Sequence, residues 1–238
     1  MKVFILAHQD DEIFFLPHIL GSEKKLFIYL TNGVPRSATL KELNERTLEA
    51  KLVFQNLMAC RNSIVVWWGL ENSISDGELH KHLGKDLVIR LSEVLLQQGV
   101  QVSKLFTTSF EGAHQDHDSA AAIARKLAES FQVELVEMSS YPQRFPNFYS
   151  FRVLKPESPR EVFKFNRLEV LLFAFRLMIL YRTQSITWFG LGTSIFGVYA
   201  FRKYKSSNPL QIQILNPCLY EFRGRAKQSD VLHYLLKI

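Results

Sequence analysis

The chain has 238 residues, 47% of them hydrophobic, and 29 Lys and Arg against 23 Asp and Glu give it a formal net charge of +6. That length fits one large α/β domain, or a core with an elaborated C-terminal part, and the apolar share excludes a disordered chain. Two cysteines, Cys60 and Cys218, exclude a disulfide framework and a thiolate zinc site, and without an arginine-rich tract or helix-turn-helix signature nucleic acid is set aside as a partner.

Val3 to Ala7 is a continuous apolar run, the pattern of a strand buried on both faces. It leads into His8-Gln9-Asp10-Asp11-Glu12 and then Ile13 to Leu20, which reads as a helix with an acidic first turn, shortened by Pro17. Leu26 to Leu30 predicts a second strand, closed by the turn signal Thr31-Asn32-Gly33. Leu40 to Cys60 predicts a helix, with Leu43, Leu48, Leu52, Val53 and Leu57 near helical spacing. Ile64 to Trp68 predicts a third strand, followed by a polar loop that holds Asp76-Gly77-Glu78-Leu79.

Leu87 to Leu96 reads as a helix ended by Gly99. A fourth strand, Lys104 to Thr108, delivers the chain to Gly112-Ala113-His114-Gln115-Asp116-His117. Asp118 to Phe131 then predicts a helix and Val133 to Met138 a fifth strand. This alternation implies an α/β fold, a Rossmann-like three-layer sandwich with a mainly parallel sheet and right-handed crossovers.

Four prolines, Pro142, Pro146, Pro156 and Pro159, mark a change of character from Tyr141 to Arg160, expected as an ordered loop wrapping the core. Beyond it Val170 to Tyr181 is strongly apolar, with Asn166, Glu169 and Arg176 on one narrow helical stripe. The run is too short and too charged to span a bilayer, so a helix buried against the sheet is expected ahead of one lying on a membrane surface. The whole chain, 1–238, is expected as a single domain, with 1–140 as its core and 141–238 as a C-terminal extension packed on it.

Charge divides along the same line. Residues 1–150 hold 15 Lys and Arg against 18 Asp and Glu, and residues 151–238 hold 14 against 5, so the two parts carry −3 and +9. A basic, aromatic-rich C-terminal part suits an anionic partner such as a nucleotide diphosphate, a lipid diphosphate or a membrane surface, with a solvated basic surface as the plainer reading. The first strand begins at Lys2, leaving no room for a secretory signal ahead of it, so a cytoplasmic location is expected, with the inner face of the membrane as a variant of it.

Both clusters of imidazoles and carboxylates follow predicted strands and can therefore face one another at the edge where α/β sheets bind ligands. Their nitrogen and oxygen donors suit a borderline divalent metal, with carboxylate and imidazole to spare for proton transfer, as in a metal-dependent hydrolase. Helix capping would explain one of Asp10 and Asp11 but neither His8 nor the distant His-x-Asp-His. Arg46 with Glu49 reads equally as a helix-surface ion pair or a substrate contact, and Asp76 equally as a turn former or a sugar-hydroxyl acceptor. His18, His80, His82 and His233 lack a second cluster and are expected at the surface or in packing. No G-x-G-x-x-G follows the first strand, which disfavours dinucleotide binding.

Ala7-His8-Gln9-Asp10-Asp11-Glu12 and His114-Gln115-Asp116-His117 together resemble the LmbE/PIG-L family of zinc-dependent N-deacetylases, whose members share A/P-H-x-D-D-E after the first strand and H-x-D-H after a later one. Thr31-Asn32-Gly33, Arg46-x-x-Glu49, Asp76-Gly77-x-Leu79 and Tyr181-Arg182-Thr183-Gln184 are softer family-like features; the resemblance covers residues 1–140 well and the rest thinly. It implies His8, Asp11 and His117 as ligands of Zn2+, with another divalent metal such as Fe2+ left open. It further implies Asp10 as the base, His114 as the group stabilising the oxyanion, and Asp116 as the residue that orients His114. Arg46 and Asp76 would meet the substrate, a GlcNAc-type N-acetylated amino sugar on which a nucleotide or lipid diphosphate carrier is a further hypothesis, in polysaccharide or glycolipid synthesis. Gln9 and Gln115 stand where many members have Pro, and Glu111-Gly112-Ala113 stands where some place a Tyr. An amidase of a non-sugar or thiol-conjugate amide, and a non-catalytic sugar-binding protein that keeps the fold, are the competing readings.

Overall fold

Strand β1 (Lys2–Leu6) pairs in parallel with β2 (Lys25–Tyr29) on one side and β4 (Lys104–Thr108) on the other. The registers place Phe4 against both Phe27 and Phe106, and the three rings stack across the strands with centroids 4.8 and 4.7 Å apart. Like residues at one register position thus form a ladder that holds the centre of the sheet. The structure, a computed structural model, describes residues 1–99, 101–138, 160–162, 167–185, 200–204 and 218–235.

Strands β3 (Ser63–Val66) and β5 (Glu134–Met138) extend the parallel sheet, and β6 (Arg160–Val162) and β7 (Ala200–Tyr204) close it in the order β3-β2-β1-β4-β5-β7-β6. β7 runs antiparallel to both β5 and β6. Strand residues alternate between two buried clusters, because successive side chains point to opposite faces. Phe4, Leu6, Phe27 and Phe106 meet α1 (Leu16–Ile19), α2 (Leu40–Val53) and α6 (Arg167–Leu180). Val3, Ile5, Leu26 and Leu105 meet α4 (Lys85–Gln97) and α5 (Gln115–Phe131). Three short helices complete the described α-helices: α3 (Trp68–Glu71), α7 (Leu219–Phe222) and α8 (Gln228–Leu235).

Most predicted elements stand where expected, with local shifts. The first predicted helix splits into a 3-10 turn, Asp11–Phe15, and α1, where Pro17 lies in the first turn and so costs no hydrogen bond. The second starts at a capping box between Thr39 and Glu42 and continues beyond Val53 as a π turn, Phe54–Met58. β3 ends before Trp67, whose ring stacks on Tyr29 at 5.2 Å, and Trp68 opens α3 instead of closing the strand. α6 packs into the core through the face carrying Val170, Phe173, Ala174 and Leu177, and exposes Leu168, Leu172, Phe175 and Ile179 on the other. The proline-marked segment from Tyr141 lies outside the described residues, as does Asn166.

The chain leaves β1 toward β2 on one side and returns to β4 on the other, so a crevice opens beyond the carboxyl ends of β1 and β4. That switch point is where open α/β sheets bind ligands.

Candidate metal centre

Both imidazole-carboxylate clusters project into this crevice. His8 follows β1 directly, and His114 caps α5 in the loop after β4. The rings of His8, His114 and His117 lie 4.8 to 5.2 Å from one another, centroid to centroid. His117 Nε2 is 3.1 Å from Asp11 Oδ1, and Asp11 Oδ2 accepts the His8 backbone N–H at 2.9 Å. Neither Asp10 nor Asp11 caps the turn that follows through a side-chain bond, so capping does not account for the pair.

Two overlapping groups share His8: His8, Asp11 and His117, all buried, and His8, Asp76, His114 and Asp116. Within each group one ligand atom per residue lies within 4.8 Å of the others. Two imidazoles and one carboxylate, buried and convergent, are a donor set that fits a divalent ion with a coordination position left over. Burial alone would raise the Asp11 carboxyl, but His117 and His8 more than offset it and hold it well below the usual carboxylate range. Burial likewise opposes protonation of His117, and the facing Asp11 carboxylate outweighs it.

Asp10 points elsewhere. Its Oδ1 lies 3.0 Å from Nη2 of Arg46, a buried guanidinium whose carbon sits 4.8 Å from the centroid of the Tyr181 ring. Burial pushes the Asp10 carboxyl upward, against the pull of Arg46. Arg46 is therefore not the exposed helix pair its spacing to Glu49 suggested; Glu49 is 4.0 Å away and also accepts from the Thr183 hydroxyl and N–H. Glu12 lies beneath, accepting from the hydroxyls of Tyr29 and, at 3.0 Å, Tyr181, and burial drives its carboxyl up to about 7. Sequence reasoning assigned Glu12 and Tyr181 no part in the site, although both lie in quoted motifs.

Asp76 comes into the crevice from the loop after α3, 3.2 Å from His8 Nε2 and 3.6 Å from His114 Nε2. Asp116 and His114 do meet, but the bond is donated by the Asp116 backbone N–H to Nδ1 of the imidazole at 3.2 Å. The Asp116 carboxylate instead accepts from Gly77 N–H at 2.5 Å and Leu79 N–H at 3.0 Å and faces His8 Nε2 at 3.2 Å, tying the Asp76 loop to α5. Gln9 donates to the Thr31 carbonyl and Gln115 to that of Gly77, so both bind neighbouring loops. The Glu111 and Gly112 N–H groups are pinned by Asp118 at 2.9 and 3.1 Å. His18 and His80 are buried in packing, and His82 and His233 are exposed.

Among solved structures the chain is similar to a triple mutant of a deacetylase of the teicoplanin biosynthetic pathway, at 12% identity and a TM-score of 0.63, over 87% of this chain and 99% of that one. It is similar to the zinc-inhibited form of teicoplanin deacetylase, at 12% identity and 0.59, over 85% and 96%. It is also similar to the N,N'-diacetylchitobiose deacetylase from Pyrococcus horikoshii complexed with its inhibitor, at 13% identity and 0.55, over 88% and 87%. At these identities the likeness is one of fold. No curated protein sequence matches. Residues 3–128, just over half of the chain, match the family described as PIG-L, GlcNAc-PI de-N-acetylase. They contain both histidine-aspartate motifs, Arg46 and Asp76, and the chain belongs to the PIG-L family of deacetylases.

Proposed function

We propose that this protein hydrolyses the N-acetyl group of a GlcNAc-type amino sugar, releasing acetate and a free amine, with zinc held by His8, Asp11 and His117. One observation carries the reading: a buried His-Asp-His donor set stands beside a carboxylate, Asp10, that Arg46 holds at 3.0 Å. When bound, the metal supplies Lewis-acid polarisation of the amide carbonyl and makes water acidic enough to ionise near neutral pH. Iron(II) would suit the same nitrogen and oxygen donors.

Asp10 takes the proton of the attacking water and returns it to the departing nitrogen, since an amine leaves an amide readily only when protonated. Arg46 engages Oδ1 of that carboxylate, leaving Oδ2 for the water. His114 accepts a backbone N–H at Nδ1, so its neutral ring carries its proton on Nε2, a donor suited to the charge that develops on the carbonyl oxygen. Asp116 keeps the Asp76 loop and His8 in register with α5, and Asp76, partly exposed at the mouth, would accept a sugar hydroxyl.

A formal +9 over residues 151–238 supports a diphosphate-linked substrate, nucleotide or lipid, used in polysaccharide or glycolipid synthesis at the inner face of the membrane. Metal analysis of the purified protein, with acetate release measured on free, nucleotide-linked and lipid-linked N-acetylated sugars, tests the reading. Release from a carrier-linked sugar by a zinc-loaded protein supports it. Equal turnover of the free sugar removes the carrier, and a metal-loaded protein that releases acetate from none of them removes the reaction.

A further inference from the structure

The side of α6 turned away from the sheet is apolar where a solvated helix would be polar. Leu168, Leu172, Phe175 and Ile179 are 63, 54, 50 and 63% exposed. Their spacing of four, three and four residues puts them in one stripe, opposite the buried Val170, Phe173, Ala174 and Leu177. A 14-residue helix is short of the roughly 17–25 residues needed to cross a bilayer, so both apolar faces call for different partners. The core beneath α1 and α2 covers one of them.

Charge decides what covers the other. Arg176 on the helix and Arg182 just beyond its end are both exposed. Glu169, the one acidic residue of α6, is 3.5 Å from Arg61. Residues 151–238 carry a formal +9. A second copy of the chain, docking on this face by two-fold symmetry, would set Arg176 and Arg182 against their own counterparts. An anionic bilayer would instead take the apolar stripe into its acyl boundary and pair the guanidiniums with lipid phosphates.

We propose that α6 seats the protein on an anionic membrane surface, with Leu168, Leu172, Phe175 and Ile179 inserted and Arg176 and Arg182 among the head groups. The inference goes beyond the hydrolytic reading and stands or falls without it, because its test measures no turnover.

The full chain is sedimented with vesicles of phosphatidylcholine, alone or mixed with phosphatidylglycerol. Binding is expected only to the mixed vesicles, and to weaken with added salt. Leu172→Ser/Phe175→Ser, made at exposed positions, is expected to keep the melting temperature and bind about tenfold more weakly. Arg176→Gln/Arg182→Gln is expected to lose about tenfold or more, since each juxtamembrane cation contributes on the order of 1 kcal/mol. The proposal is overturned if the wild type ignores mixed vesicles, or if both double variants bind as the wild type does. It is equally overturned if the wild type sediments without lipid as a dimer that Leu172→Ser/Phe175→Ser converts to a monomer.

Discussion

Arg46 and Asp10 form a largely buried pair at 3.0 Å, and the guanidinium lies over the ring of Tyr181, whose hydroxyl donates to Glu12. The cation thus joins the residue proposed as base to the end of α6. Removing it strands a carboxylate in a site with little water, and breaking a buried pair from one side costs about 3–5 kcal/mol. Arg46→Met is therefore expected to lower the melting temperature by roughly 6–12 °C at the low end of that cost, with a loss of turnover. Arg46→Lys should fall between, since it keeps the charge but not the planar fork. Calorimetry and acetate release on the same samples check this, and an Arg46→Met protein with unchanged melting and turnover contradicts it.

The two aspartates of the first motif should separate by phenotype. Asp10 faces Arg46, whereas Asp11 faces His117 and the His8 backbone. Asp10→Asn should retain its metal and lose about 10²–10⁴-fold in turnover, the usual contribution of a general base. Asp11→Asn and His117→Ala should instead lose metal occupancy, and their turnover should recover in part with excess zinc. Measuring metal content and rate together tells the two classes apart. Full occupancy in His117→Ala would remove that residue from the ligand set.

Gly69 is where the fold leaves no room. An added Cβ would fall 2.2 Å from the backbone of Thr31, whose carbonyl takes the Gln9 side chain and whose N–H and hydroxyl both reach Ala7. Gly69→Ala must therefore push α3 away from the end of β2 and disturb Gln9, which sits between His8 and Asp10. Overpacking against backbone is expected to cost about 3 kcal/mol, at the upper end of such changes. Gly21→Ala, whose Cβ would meet nothing nearer than 3.6 Å, should stay within about 1 kcal/mol of the wild type. Denaturant melts of the two variants make the comparison, and a Gly69→Ala protein as stable as Gly21→Ala refutes the packing argument.

The parallel core and both halves of the candidate metal centre were legible because each is written locally. Apolar runs such as Val3 to Ala7 mark strands buried on both faces, and the His-x-Asp-Asp and His-x-Asp-His spacings sit directly at strand ends. The support of Asp10 was not legible, since the Tyr181 to Glu12 bond spans 169 residues. For Arg46 a surface pair with Glu49 and a substrate contact read equally well, because helical spacing records neighbours along one helix and nothing of what packs over it. The same limit applies to α6: an apolar residue at every turn implies burial, but only the tertiary structure shows which face has a partner. β6 and β7 were not legible because Arg160-Glu161-Val162 and Ala200-Phe201-Arg202-Lys203-Tyr204 each hold two adjacent charges and no continuous apolar run.

His18 gives the fold a defined acid limit. Its ring is 5% exposed, lies 4.6 Å from the Phe106 ring, and has Lys2 and Lys104 close enough to repel an imidazolium. Burial first, and then the two lysines, lower its pKa from 6.5 to about 3. Above pH 6.5 the imidazole is neutral in both folded and unfolded chains and its contribution is complete. As the pH falls below that value the unfolded chain takes up a proton that the native chain refuses, and stability drops by about 1.4 kcal/mol per pH unit. The loss ends near pH 3, where the native state protonates too. His18→Leu should be unchanged in this one respect: its stability should not fall through that window on account of residue 18, whatever the substitution costs at neutral pH. Urea melts of both proteins between about pH 7 and pH 4 should therefore converge by about 3 kcal/mol or more as the pH is lowered. Parallel curves across that range would show that the imidazole titrates in the native state as it does in the unfolded one.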